Sequence, residues 1–162
     1  MIQLPKKISL GTERVWSLVP LGLERIRRVM QGNLQGLKNQ GLANCWTYHI
    51  EGVMGEAAVA KLLGYPEDWM PDQDSWKKPD VGPFQVRTTV YKSGKLVINE
   101  SDDGKGLDQP FILVCGAAGE YVVHGWILLR HARKPEWYEK AIRDPAFMVP
   151  QTAPELVRTI DL

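Results

Sequence analysis

Between residues 84 and 129 the chain lays down four β-type segments in succession, and this run constrains the fold more than any other feature. The segments cover residues 84–91, 95–98, 111–115 and 121–129, each rich in β-branched or aromatic residues and bounded by turn formers. Ala117-Ala118-Gly119-Glu120 has the composition of a hairpin turn joining the last two. Helical segments come before this run and another follows it. Strands gathered in this way favour an α/β fold of the α+β type over a doubly wound sheet, in which strands and helices alternate.

The clearest helix spans residues 47–63 and is closed by Gly64 in the manner of a C-cap. Upstream, residues 2–10 suit a short strand or an extended arm. Residues 12–19 read as a short helix with Thr12 as N-cap and Pro20 as its stop. A second helix over 21–38 is weakened by Gly32 and Gly36, and residues 41–44 break it. Residues 66–79 read as an ordered surface loop. Residues 136–143 suit a short helix opened by Pro135, and 146–162 are too interrupted by proline to assign. A length of 162 residues suits a single domain. We divide it into an N-terminal helical part (1–43), a core (44–130) and a C-terminal helix and tail (131–162).

A net charge of +1 excludes a strongly basic coat, so any nucleic-acid contact has to come from a local patch. The two cysteines, Cys45 and Cys115, form neither a disulfide framework nor a close metal-binding pair, and read as buried thiols in a reducing compartment. No signal-peptide pattern opens the chain, and no run approaches the roughly 20 apolar residues of a membrane span. The expected location is the cytoplasm, that of the host if the protein is phage-encoded. No glycine-rich phosphate loop is present.

Chemistry concentrates in two places. On the helix of residues 47–63, the neighbours of Glu56 at three and four residues are Gly52, Val53, Val59 and Ala60. A carboxylate in that surround needs a cation, a metal or a proton if it is buried; its plain alternative is a rim position facing water. On the segment 84–91, alternation places Phe84, Val86, Thr88 and Val90 on one face, expected to enter the core. Gln85, Arg87, Thr89 and Tyr91 take the other, expected to face a cleft. Asp80 precedes Gln85 across the turn Val81-Gly82-Pro83, close enough to stand beside it. An ordinary amphipathic strand is the plain reading of that segment alone.

A helix glutamate, then an aspartate after a loop, then a polar-x-basic strand resembles the PD-(D/E)XK nuclease superfamily. The stretches that carry the resemblance are Gly52-Val53-Met54-Gly55-Glu56-Ala57-Ala58, Pro79-Asp80 and Gln85-Val86-Arg87-Thr88-Thr89. It covers about residues 47 to 130. More loosely, Asp80-Val81-Gly82, Val86-Arg87-Thr88-Thr89 and Val123-His124-Gly125-Trp126-Ile127 are similar to small uncharacterised phage and prophage proteins. The superfamily resemblance implies a restriction-endonuclease-like core, a mixed sheet flanked by helices, and metal-assisted hydrolysis of DNA. Glu56, Asp80 and the side-chain oxygen of Gln85 would hold Mg²⁺ or Mn²⁺, and Arg87 would stabilise developing charge. Two residues depart from the family pattern. Gln85 replaces an acid, which removes a charge from the metal site. Arg87 replaces a lysine and cannot serve as a base.

DNA is the implied partner. Arg25, Arg27, Arg28 and Lys38 are candidates for its backbone, and Arg130, Arg133 and Lys134 form a second basic cluster. Solvated helix faces are the plain reading of both. A homodimer is compatible with the sequence. His124 and Trp126 are expected to share a core-packing face with Val122 and Leu128, while His49 and His131 lack a partner. In the acidic loop, Trp69 and Trp76 beside Asp68, Asp72 and Asp74 pin the loop or stack on bases. Two other readings remain: a catalytically inactive member of the same fold that binds DNA or a protein, and a small phage structural or host-interaction protein.

Overall fold

The computed structural model describes residues 1–32, 42–72, 78–140 and 145–161. Lys38, Asp74 and Trp76 lie outside these residues. Helices and sheets segregate into an α+β arrangement. Among the described residues, no helix is long and apolar enough to cross a membrane.

Helix α1 (Thr12–Gly32) runs through Pro20 instead of stopping there, which corrects the expected break. Leu18 and Ile26 continue one buried stripe on either side of the exposed proline. Burial of that stripe outweighs a proline penalty of about 3 kcal/mol. Helix α2 (Leu42–Leu62) begins before residue 47, so the expected break at 41–44 is already helical from Leu42. The two helices pack closely at Gly22, where a Cβ would lie 2.8 Å from the Ile50 Cα. Gly64 and Tyr65 then donate to the Lys61 and Ala60 carbonyls, which closes α2 as its C-terminal glycine predicts.

Strands β1 (Ile2–Gln3) and β2 (Lys6–Ser9) precede the helices. After them come β3 (Gln85–Thr89), β4 (Leu96–Asn99), β5 (Pro110–Ala117) and β6 (Glu120–Leu128). The main sheet has the order β2-β6-β5-β3, with β3 parallel to β5 and the other pairs antiparallel. Ala118 (φ 53°) and Gly119 (φ 93°) form the hairpin turn between β5 and β6. Glu51 of α2 steadies that turn, accepting from the Ala118 amide at 3.2 Å and from the Tyr121 hydroxyl.

Residues 129–132 form one helical turn, α3 (Leu129–Ala132). Of the helix expected over 136–143, residues 141–143 lie outside the described residues, and the described part is instead a 3-10 turn, Pro135–Trp137, followed by β7 (Tyr138–Glu139). The tail, unassigned from sequence, supplies β8 (Ala146–Val149) and β9 (Thr159–Ile160). β4, β8 and β7 make a second, antiparallel sheet, and β9 pairs with β1.

These layers give the main sheet two buried faces. Val86, Ile112, Val114, Tyr121 and Val123 pack with Val53, Ala57 and Ala60 of α2. Phe111, Leu113, Cys115, Ile127 and Leu129 pack with Leu96, Ile98 and Val149 of the second sheet. Helices α1 and α2 lie against one face, while the short α3 packs through Leu129 and Ala132 into the other with the second sheet.

The expected common face of Val122, His124, Trp126 and Leu128 is also split. A bulge pairs Leu113 with Gly125 and Val114 with Val123, which leaves His124 as the extra residue. Beyond it the facing inverts: Trp126 opposes Ile112 and packs on the helix side, against Phe84 at 5.9 Å. Val122 opposes Cys115 on the other side.

Candidate functional site

The bend before β3 is tight. The Asp80 and Val81 amides both donate to the Phe84 carbonyl, at 2.8 and 3.2 Å, and the Phe84 amide donates back to Val81 at 2.9 Å. This turns the Asp80 side chain to the start of the strand, where its Oδ2 accepts from the Val86 amide at 2.8 Å. β3 has β5 as its sheet neighbour and forms an edge of the main sheet.

Glu56 stands on α2 beside this edge and is 5% exposed. Both of its oxygens accept from the Arg25 guanidinium of α1, at 2.6 and 2.8 Å. Such a two-point pair is the strongest geometry available to an arginine and a carboxylate. Burial pushes the Glu56 carboxyl up to about 7, against the pull of Arg25; the negative charge of Asp80 adds to the rise and Arg87 opposes it. Burial also raises Asp80, against the Val86 amide and the charges of Arg87, Lys105 and Arg25. Arg25 further reaches the Asp72 carbonyl at 3.5 Å, and its charge, after burial, lowers His49.

Gln85 and Arg87 follow the expected alternation, opposite Phe111 and Leu113 on the face turned away from α1 and α2. That face is a second interior and not an open cleft, a correction imposed by the β4-β8-β7 layer. Gln85 is 2% exposed; its amide nitrogen donates to the Lys78 carbonyl at 2.7 Å and its oxygen accepts from Lys105 at 3.0 Å. Arg87 lies over the Phe111 ring, 5.0 Å from its centroid, and donates to Asp102 at 2.8 Å. Asp102 and Lys105 belong to the 3-10 turn Glu100–Lys105 that follows β4. Asp102 also accepts from the Asn99 amide at 3.0 Å, which fixes it beneath Arg87. On the other face, Phe84 and Val86 are buried as expected, but Val90 at the strand end is 38% exposed.

Electrostatic coupling thus links Glu56, Asp80 and Arg87 around one edge strand, with Gln85 beside them, while the contacts of these residues divide. Glu56 is committed to Arg25 on the helix side. Gln85 and Arg87 are committed to Lys105 and Asp102 on the other, and Asp80 lies between, within the field of all three cations. Asp102 and Lys105 escaped the sequence reading because a short turn 15 and more residues downstream carries no local sign of its destination. Arg25 was visible, but as a member of a basic helix face. Its companions Arg27 and Arg28 do lie on that face, both paired with Glu24, at 2.7 and 3.0 Å. In the second basic cluster, Arg130 pairs with Asp108 and Lys134 with Glu155.

This donor set does not fit Mg²⁺ as arranged. A bound Mg²⁺ needs oxygen ligands with near-octahedral access, yet a guanidinium holds both Glu56 oxygens and an ammonium sits on the Gln85 oxygen. Among the described residues, no three His, Cys, Asp or Glu side chains group in a way that would hold a metal. The arrangement can instead exchange an internal carboxylate for an external anion at Arg25, Arg87 or Lys105. The chain matches no protein-family model, no curated protein and no solved structure.

Proposed function

We propose that the chain is a PD-(D/E)XK-like, restriction-endonuclease-like domain that binds DNA along the β3 edge without cutting it. In this reading its own cations take the place of the metal. The observation that carries the reading is the two-point grip of Arg25 on Glu56, joined by Lys105 on Gln85. The order of helix glutamate, bend aspartate and polar-x-basic strand supports the family. Exposed Lys78, Lys92 and Lys95 flank β3 and give a phosphate backbone a cationic approach.

A second reading, Mg²⁺-dependent hydrolysis of DNA, is favoured by the burial that raises both Glu56 and Asp80, since a divalent cation relieves that cost. One experiment separates them: duplex, single-stranded and branched DNA incubated with the protein in EDTA, Mg²⁺ or Mn²⁺, with calorimetric metal titration alongside. We expect DNA shifted but uncut, salt-sensitive binding that weakens in Lys92→Ala/Lys95→Ala, and no metal-binding heat. Metal-dependent cleavage that is lost in Asp80→Ala would establish the second reading. Absence of both binding and cleavage would remove DNA as the partner.

A further inference from the structure

Next to the charged edge, between the start of α1, the last turns of α2 and residues 65–70, lies a cleft of about 590 Å³. That volume falls among small-molecule sites. Tyr65 and Trp69 form one corner of it, their rings 5.7 Å apart at 70°. Arg14 donates to the Trp69 carbonyl, which anchors the segment carrying that ring. Ala57 and Ala60 line the α2 side, where their small side chains leave depth.

Polar groups around this apolar corner are mixed in sign. Lys61 lines the cleft and donates to the Ser9 carbonyl at 2.9 Å, a bond that uses one of an ammonium's three donors. Glu13 and Asp68 line it too, both exposed. The cleft borders the charged edge, because a Cβ on Gly82 would come 3.6 Å from the Tyr65 hydroxyl. A matching ligand needs a flat apolar ring, an N–H donor on that ring for a carboxylate, and an anionic group for the lysine.

We infer that this cleft takes a nucleotide whose base carries an exocyclic amino group. The base lies against Trp69 and Tyr65, its amino group donates to Asp68 or Glu13, and its phosphate meets Lys61. Aromatic side chains stack on any base, and acidic side chains accept from exocyclic amines. The nucleotide comes either free or as one unit of single-stranded DNA; the second source rests on the DNA reading above.

The test is a calorimetric titration of the full chain with dAMP, dTMP, deoxyadenosine, short oligo-dA and short oligo-dT. We expect dAMP to bind about tenfold tighter than dTMP, the discrimination of one good polar pair. Trp69→Ala weakens dAMP about tenfold, Trp69→Phe keeps most of the affinity, and Lys61→Ala brings dAMP down to the level of deoxyadenosine. Tight dAMP with no oligo-dA binding supports the cleft and assigns it to free nucleotide. Binding of both assigns it to single-stranded DNA as well. Failure of dAMP and oligo-dA alike, or dAMP binding unchanged in Trp69→Ala, overturns the inference. Duplex binding is read separately in Lys92→Ala/Lys95→Ala, so a failed β3 edge and a failed cleft give different patterns.

Discussion

Glu56 is a carboxylate held in an interior where its charge is both opposed and answered. Its folded pKa, about 7, lies above the ordinary value of 4.5, because burial outweighs Arg25. Folding therefore takes up a proton between those two values. The Glu56 contribution to stability is fully present below pH 4.5 and is lost as the pH rises through 7. A carbon-detected titration of the Glu56 carboxyl should show a midpoint near neutrality, and Glu56→Gln should flatten the pH dependence of stability over that window. A midpoint near 4 would mean that Arg25 wins. Removing Arg25 takes away the pull that holds the Glu56 carboxyl at about 7, so the carboxyl stays protonated at neutral pH. Arg25→Met should then cost about 1–3 kcal/mol in denaturant unfolding there, through the loss of its two hydrogen bonds. Arg25→Met/Glu56→Leu should cost less than Arg25→Met by itself. From the sequence, the small neighbours of Glu56 showed what its burial would demand but left a rim position open. The identity of the cation did not follow, since a helix face with three arginines does not say which one turns inward.

At the scale of elements, α2 meets β3 through a glycine. A Cβ at Gly55 would lie 1.9 Å from the Thr88 hydroxyl oxygen and 3.0 Å from its Cβ, so the helix cannot approach the strand with a larger residue there. Gly52, one turn earlier, has nothing within 4 Å of such a Cβ. Gly55→Ala should destabilise by about 1–3 kcal/mol through overpacking. Gly52→Ala should stabilise by about 0.5–1 kcal/mol, since alanine loses less entropy in a helix. Thermal melts of the two variants decide this, and equal shifts would mean that the strand yields. Period-two patterning made β3, β5, β6 and their hairpin legible, because local alternation records a strand's two faces. The inversion after His124 was not legible, since an extra residue is defined by the neighbouring strand's register. Pro20 misled for a related reason: a local penalty says nothing about the long-range stripe that overrides it.

Across the whole molecule, the main sheet is shared by both hydrophobic clusters, so damage to either should be felt by the other. Phe111 is fully buried and also lies under Arg87. Phe111→Ala should cost about 3–5 kcal/mol and still give one unfolding transition by fluorescence and circular dichroism; two separated transitions would mean that the layers fold apart. The gross α+β class was legible from the order of segments, whereas the second sheet was not, because its strands are short and widely spaced. The pairing of Ile2 with Ile160 and of Trp126 with Val157 has a temporal consequence. Leu4 and Ile160 belong to the same cluster as the inner face of α2, so a ribosome must release residues 157–160 before that interior can be sealed. Until then the emerging polypeptide carries the uncovered apolar surface that chaperones recognise. Nascent chains stalled short of Val157 should be cleaved readily by protease, and those released beyond Ile160 should resist it.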